Sequence, residues 1–327
     1  MTDQPSWSPV AGPEMLVARA QLLADIRAFF QEKGVIEVET PICSASASTD
    51  PALASFQTSY TGPGQAQGKQ LYLHTSPEFP MKRLLAANSG PIYQICKVFR
   101  DEELGRFHNP EFTLLEWYRP GYDQHQLMDE VAELINRLLP ESLPVERISY
   151  RDLFEKRLGI DPHYANSEQL REQAVRLGVQ GAESMNLQSA DGWLDLLMSH
   201  HIESDLGKGS ICFVYDYPAS QASLAKVKEG DPPLAERFEL YMDGVELANG
   251  FHELADANEQ RSRFLSDLER RREIGIKQVP MDENLLSALE SGIPDCSGVA
   301  LGIDRLLMRL TGADHIRKVL AFPLDLA

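Results

Sequence analysis

Apolar residues recur at helical spacing between Glu14 and Lys33, where Leu22, Leu23, Ile26, Phe29 and Phe30 share one face and Gly34 stands where a helix would end. Val35–Thr40 then alternates as a strand and stops at Pro41, and Ser44–Asp50 is a loop of small polar residues. Leu71–Thr75 predicts a short strand. Ser76 is placed to cap a helix with Pro77 at its first position, running to about Gly90. Pro91–Arg100 and Glu111–Tyr118 predict two strands joined by a polar loop; residues 125–139 and 167–208 predict helices with one polar face. A strand follows at Ile211–Tyr217. Glu236–Asp243 and Val245–Phe251 predict a hairpin through Asp243-Gly244, a strong two-residue turn signal. Glu259–Gly275 predicts a charged helix, and Ser297–Gly302 a strand entering the helix Ile303–Leu310, stopped by Gly312. Strands grouped in hairpins with helices appended predict an α+β fold, a largely antiparallel sheet flanked by helices, rather than a doubly wound parallel sheet.

Composition narrows the function classes. The 327 residues are 43% hydrophobic and 24% charged, which suits a globular protein with a real core. With 31 basic against 49 acidic residues the net charge is −18, which argues against general affinity for a phosphate backbone. The polar stretch Met1–Val10 carries no secretory pattern, and no apolar run approaches the ~18 residues of a membrane span. Cys43, Cys96, Cys212 and Cys296 are far apart, so neither a zinc knuckle nor a disulfide framework is expected. Reduced thiols and a cytoplasmic location follow as expectations.

Several short motifs fail on inspection. Ser223-Leu-Ala-Lys226 lacks the partner motifs of serine β-lactamases. His252-Glu253 is followed by Asp256, where a zincin needs His. Gly207-Lys208 lacks the flanking residues of a phosphate-binding loop, and no G-x-G-x-x-G is present.

Two constellations survive. Along Glu111–Tyr118, period two places Phe112, Leu114, Glu116 and Tyr118 on one face. On that strand alone, a half-buried strand with one stray carboxylate is the simpler reading. In the hairpin, Tyr241 faces Glu246, and Glu239 lies on the same face as its diagonal neighbour. Two carboxylates so placed call for a cation, and Mg²⁺ with substrate phosphates satisfies that need. A solvated acidic edge accounts for them equally well without further context.

Further context comes from Arg100-Asp101-Glu102 with His108-Asn-Pro-Glu-Phe112, from Gly298-Val-Ala-Leu-Gly302-Ile-Asp-Arg305, and from Glu37-Val-Glu-Thr-Pro41. In this order and on these elements they resemble motifs 2, 3 and 1 of the class II aminoacyl-tRNA synthetase core. Ser76-Pro-Glu78-Phe, Leu115-Glu-Trp-Tyr118, Tyr217–Lys226 and Gly244–Leu254 are similar to lysyl-tRNA synthetase within that class. The resemblance runs from about Glu14 onward, with no anticodon-binding barrel ahead of the core, a pattern similar to the elongation factor P–(R)-β-lysine ligase family. One catalytic domain spanning 1–327 is therefore expected, with a peripheral helical segment at about 125–208.

The resemblance implies an ATP- and Mg²⁺-dependent ligase that adenylates (R)-β-lysine, or lysine, and transfers it to a lysine ε-amino group of elongation factor P. tRNA is not the implied acceptor, no membrane is involved, and a homodimer is implied by the first helix and the strand ending at Pro41. Arg100 and Arg305 are implied to hold the α- and γ-phosphates. Asp101, Glu102, His108, Asn109, Leu247 and Gly302 are implied near the nucleotide, with Phe112 on the adenine, and Glu239 and Glu246 are implied to hold the metal. The amino-acid pocket is implied at Ser76, Pro77, Glu78, Glu116, Tyr118, Asn249, Phe251, Glu253 and Ala300. Ala300 stands where lysyl-tRNA synthetases usually carry Gly, so its methyl group is expected to crowd α-lysine. Asn249, Phe251 and Glu253 have parity opposite to Glu246, so a bulge near Asn249-Gly250 is expected if both sets face one site. The sequence identifies no base for the transfer step. A free-standing lysyl-tRNA synthetase and an inactive lysine- or nucleotide-binding regulatory module are the competing readings.

Overall fold

A computed structural model describes residues 7–65, 67–187 and 189–327; the first six residues of the polar N-terminal stretch lie outside the described residues. The chain divides into two compact units. The first comprises 1–121, 255–296 and 300–327, and the second 122–254 with 297–299.

The first unit opens with α1 (Pro13–Glu32), entered through Pro13 at its first turn and burying Leu22, Ile26, Phe29 and Phe30. Phe30 stacks on Tyr93 at 4.4 Å between ring centroids and meets Trp117 edge-on at 5.4 Å, which fixes the helix against the strands. The predicted strand at Val35–Thr40 is shorter than expected: β1 is Ile36–Glu37, paired in parallel with β5 below. β2 (Cys43–Ser44), β3 (Gln57–Tyr60) and β4 (Lys69–Leu73) form a small antiparallel sheet in the order β2-β4-β3. Sequence periodicity does not show β2 and β3, because they are two and four residues long and β3 is exposed throughout. α2 (Glu78–Ala86) starts one residue later than the capping pattern predicts, with Pro77 as its N-cap. β5 (Ile92–Phe99) and β6 (Glu111–Pro120) pair antiparallel with Gln94 opposite Glu116 and Ile92 opposite Tyr118.

In the second unit α3 (Gln124–Leu138) begins with a capping box between Asp123 and Gln126. β7 (Val145–Ser149) and α4 (Tyr150–Leu158) occupy the interval between the two predicted helical stretches. α5 (Ser167–Arg176) and α6 (Ala190–Leu197) follow, each capped by a side chain, from Asn166 and Ser189. β8 (Ile211–Pro218), β9 (Val227–Lys228), β10 (Leu234–Met242) and β11 (Val245–His252) complete the unit, with strand order β11-β10-β8-β7 and β9 on β10. All these pairings are antiparallel except β7 with β8. Tyr150, Phe154, Leu170, Trp193, Leu197, Tyr217 and Tyr241 belong to one buried core.

The chain then adds α7 (Ala257–Glu273) and α8 (Glu283–Ser291) to the first unit. β12 (Cys296–Gly302) leads into α9 (Ile303–Thr311), whose N-cap is Gly302 and whose end is Gly312 at φ +69°. Asp304 of α9 is buried and accepts from the Thr113 backbone N–H at 2.6 Å and from Arg19 of α1, tying the helix to β6. The twelve strands and nine α-helices among the described residues make the α+β architecture that the hairpin pattern predicts. Among the described residues no helix is long and apolar enough to cross a membrane. All four cysteines are free, and burial pushes the Cys96 thiol up to about 12 and the Cys212 thiol up to about 11.

Candidate active site

In the first unit, β6 and the start of α2 bring four of the predicted pocket residues together. Ser76 Oγ donates to Glu116 Oε2 at 2.7 Å while accepting from the Glu78 backbone N–H at 3.0 Å. Tyr118 Oη donates to Glu116 Oε1 at 2.6 Å, as the shared face of β6 requires. Glu116 is 2% exposed. Burial first, and Glu78 second, push its carboxyl up to about 7, against the two hydroxyl donors and Lys82. Glu78 itself pairs with the buried Lys82 Nζ at 2.6 Å. Sequence reasoning missed Lys82, although its spacing of four from Glu78 along a helix is the available signal. Pro77 turns the chain into α2 as its N-cap, and Ala300 is a half-buried residue of β12.

The same unit gathers a cationic group. Arg100 lies over the Phe112 ring at 5.1 Å and pairs with Glu103 at 3.6 Å. Arg305 Nη2 donates to His108 Nε2 at 2.6 Å, and its Nε donates to the Phe107 carbonyl at 3.2 Å. Burial and then the Arg305 charge hold His108 below the ordinary histidine range, so the ring is a neutral acceptor near pH 7. Arg100 over an aromatic ring, with Arg305 on His108 of the same loop, suits a phosphorylated aromatic ligand. Asn109 is buried, and both ends of its amide are engaged by backbone, its Nδ2 on the Glu111 carbonyl at 2.7 Å and its Oδ1 by the Leu324 N–H at 3.3 Å. Asp101 and Glu102 are exposed in the loop after β5, with Glu102 at φ +70°.

The second unit holds the hairpin site. Tyr241 opposes Glu246 as expected, but the register shifts between Leu240 and Tyr241, leaving Leu247 as the extra residue of β11. The bulge that parity demands thus lies two residues before Asn249, not at Asn249-Gly250. Beyond it Glu239 opposes Asn249 and Arg237 opposes Phe251, so Glu239, Glu246, Asn249 and Phe251 share one face. Gly250 faces Phe238, where a Cβ would stand 2.6 Å from the Phe238 ring and 2.8 Å from Val299 Cβ; only glycine fits this close approach. Leu247 is buried, and Glu253 is 3% exposed in a bridge with Ala225.

Glu239 is fully framed. Arg237 Nη2 donates to its Oε1 at 2.5 Å, and Tyr217 Oη and Tyr241 Oη each donate to its Oε2 at 2.6 Å. Arg237 also donates to Asn249 Oδ1 at 3.2 Å and to the Gln221 carbonyl at 2.9 Å, and lies 4.7 Å from the Tyr217 ring. Burial is the largest influence and opposes the guanidinium charge, but Glu239 together with Tyr217, Glu246 and Tyr241 outweighs it and holds Arg237 above its ordinary value. Burial and Glu239 push both phenols well up. Sequence reasoning missed Arg237, Tyr217 and Tyr241; period two along β10 puts Arg237 and Tyr241 on the face of Glu239. Among the described residues no group of three or more His, Cys, Asp or Glu forms a metal cage. A cation held by Glu239 and Glu246 therefore has two hard oxygen donors from the protein, which suits Mg²⁺ completed by phosphate and water. Three hydrogen bonds leave Glu239 about one of its roughly four acceptor positions, on Oε1, so the donor set fits such an ion.

Comparison with known proteins identifies the family. Residues 12–326 match the family of tRNA synthetases class II (D, K and N). The chain is 52% identical over 327 residues, the whole of both chains, to a protein of Edwardsiella ictaluri named elongation factor P–(R)-β-lysine ligase. It is 50% identical, again over the whole of both chains, to proteins of the same name from Salmonella paratyphi B and Klebsiella pneumoniae.

Proposed function

Because this chain belongs to the class II tRNA synthetase family of the D, K and N type, we propose that it is the ATP-dependent ligase that joins (R)-β-lysine to a lysine of elongation factor P. Full-length identity of about half to relatives bearing that name carries the reading. The buried acidic pocket of the first unit supports it. Glu116 and Glu78 share one cation, Lys82, and a diamino acid brings the further ammonium groups that such a pocket accommodates.

In the first step a carboxylate oxygen of the amino acid attacks the α-phosphorus of ATP. The bond from that phosphorus to the bridging oxygen breaks, and pyrophosphate leaves with the electron pair. Arg100 and Arg305 hold the phosphates and stabilise the charge that develops, and Phe112 stacks on the adenine. The nucleotide-side residues of this reading are also Asp101, Glu102, His108, Asn109 and Gly302 in the first unit, and Leu247 in the second. Glu239 and Glu246 would hold Mg²⁺, which when bound offsets phosphate charge. The amino-acid-binding residues of this reading are Ser76, Pro77, Glu78, Glu116, Tyr118 and Ala300 in the first unit, and Asn249, Phe251 and Glu253 in the second. With its Oδ1 taken by Arg237, Asn249 presents its Nδ2 donors, which suit the substrate carboxylate. In the second step the unprotonated acceptor amine attacks the acyl carbon. A C–N bond forms, the C–O bond to phosphate breaks, AMP leaves, and the amine gives up one proton.

We further propose a homodimer formed through the exposed apolar residues Leu16 and Val17 of α1 and Ile36 of β1, and a cytoplasmic location, where the acceptor works. ATP–pyrophosphate exchange dependent on β-lysine, followed by a mass shift of elongation factor P and none of tRNA, is the expected result. Exchange with lysine and transfer to tRNA would establish the synthetase reading instead, and absence of exchange the regulatory one.

A further inference from the structure

A cavity of ≈ 600 Å³ opens within the second unit between α4, α6 and the face of β10 that carries Arg237, Glu239 and Tyr241. Its charge is one-sided. Among the described residues Asp195, Glu203, Glu239 and Glu246 line it against one cation, Arg237, which is already engaged by Glu239 and the Tyr217 ring. Leu187, Leu196 and Met198 form an apolar wall of the same cavity. Tyr150 lines it too. This residue is 1% exposed, packed by Phe154 at 4.5 Å and Tyr217 at 4.7 Å, and its hydroxyl has no hydrogen-bond partner among the described residues. Its hydroxyl is thus a donor and acceptor open to a ligand in the cavity.

The lining selects a ligand class. Beyond Glu239 and Glu246, which the reading above gives to Mg²⁺, the carboxylates of Asp195 and Glu203 repel a further anion, and a second hydrated divalent ion has no use for an aliphatic and thioether wall. A primary alkylammonium uses both features, with its methylenes along the apolar side and its three N–H donors toward oxygen acceptors. Asp195 accepts one hydrogen bond from Gln221 at 2.9 Å and keeps acceptor capacity for more.

We propose that this cavity receives the acceptor lysine before transfer, with its stem against Leu187, Leu196 and Met198 and its ammonium between Asp195 and the Tyr150 hydroxyl. The proposal rests on the ligase reading above and adds to it the place from which the attacking amine arrives, beside the β10–β11 face that carries Glu239 and Asn249. Neither Asp195 nor Tyr150 is among the residues assigned above to activation of the amino acid.

The test uses the full chain carrying Asp195→Asn or Tyr150→Phe, both near-isosteric. ATP–pyrophosphate exchange should stay within about twofold of wild type, while the KM for elongation factor P in transfer should rise about tenfold in Asp195→Asn and about threefold in Tyr150→Phe. n-Butylamine at millimolar concentration separates a free amine from a protein-borne one. Wild type should form the butylamide, Asp195→Asn should form it more slowly, and butylamine should compete with the acceptor protein. Wild-type KM for the acceptor in both variants, or exchange falling in parallel with transfer, would overturn the cavity assignment; the second result would mean that the cavity serves activation. If wild type exchanges pyrophosphate but modifies no elongation factor P, the ligase reading fails, and butylamide formation by wild type against Asp195→Asn still decides the cavity.

Discussion

Glu116 in the first unit and Glu239 in the second are both largely buried carboxylates that accept two hydroxyl donors, and they differ in one respect. Glu239 has its own cation, Arg237, at 2.5 Å. For Glu116 no direct ion pair is seen among the described residues: the nearby Lys82 pairs with Glu78, and the Glu116 carboxyl is pushed up to about 7. A paired carboxylate is oriented before any ligand arrives, at the cost of acceptor capacity. An unpaired one stays frustrated until a cation enters. The first arrangement suits a metal ligand that must point one way in every turnover, and the second suits the recognition of an ammonium group.

Cutting the cation from the paired site should have the largest effect. Arg237→Met leaves Glu239 buried and uncompensated, and is expected to cost about 3–5 kcal/mol in equilibrium urea unfolding. A loss below about 1 kcal/mol would show that the two tyrosines suffice and would erase the contrast. Glu246→Gln, at a half-buried position across from Tyr241, should lower Mg²⁺-dependent exchange about 10²-fold or more with little change in melting temperature. Exchange near the wild-type rate would remove the metal assignment.

The unpaired site is sharpened by pH. A folded-state value near 7 against an ordinary 4.5 means that the folded chain binds more protons than the unfolded chain between those values. Glu116 therefore supports the ligand-free fold at low pH, and this support is lost as pH rises from about 4.5 through 7. Relative to Glu116→Gln, wild type should lose on the order of 3 kcal/mol across that window, at about 1.4 kcal/mol per unit. β-Lysine should restore much of this above pH 7. Parallel stability–pH profiles for the two proteins would show that Glu116 is compensated internally after all.

Glu253→Gln should weaken amino-acid binding by about 1.5–3 kcal/mol, read as the substrate dissociation constant. The smallest change concerns Ala300. Removing a methyl group that overpacks the pocket is worth about 1–3 kcal/mol, so Ala300→Gly should raise kcat/KM for α-lysine relative to β-lysine by about 5-fold or more. A ratio unchanged within about twofold would make Ala300 ordinary packing.

The sequence by itself determined what short-range periodicity and turn chemistry govern. Alternation along Glu111–Tyr118 put Glu116 and Tyr118 on one face, and the 2.6 Å hydrogen bond between them follows from it. Asp243-Gly244 set the hairpin turn, and with it the opposition of Tyr241 to Glu246. Parity alone required a bulge in β11, but only the structure put it at Leu247, because its position depends on what each strand packs against: Gly250 must lie under Phe238 and Val299. The partners of Glu239 were hidden for the same reason. Tyr217 is 22 residues away on β8, and it meets Glu239 only when β8 and β10 pair. Tyr150 and Asp195, 45 positions apart on two helices, come to line one cavity only through the core that seats both. Local pattern sets which residues share an element and a face. Distances between elements, and the pKa values that burial creates, exist only once the chain has packed.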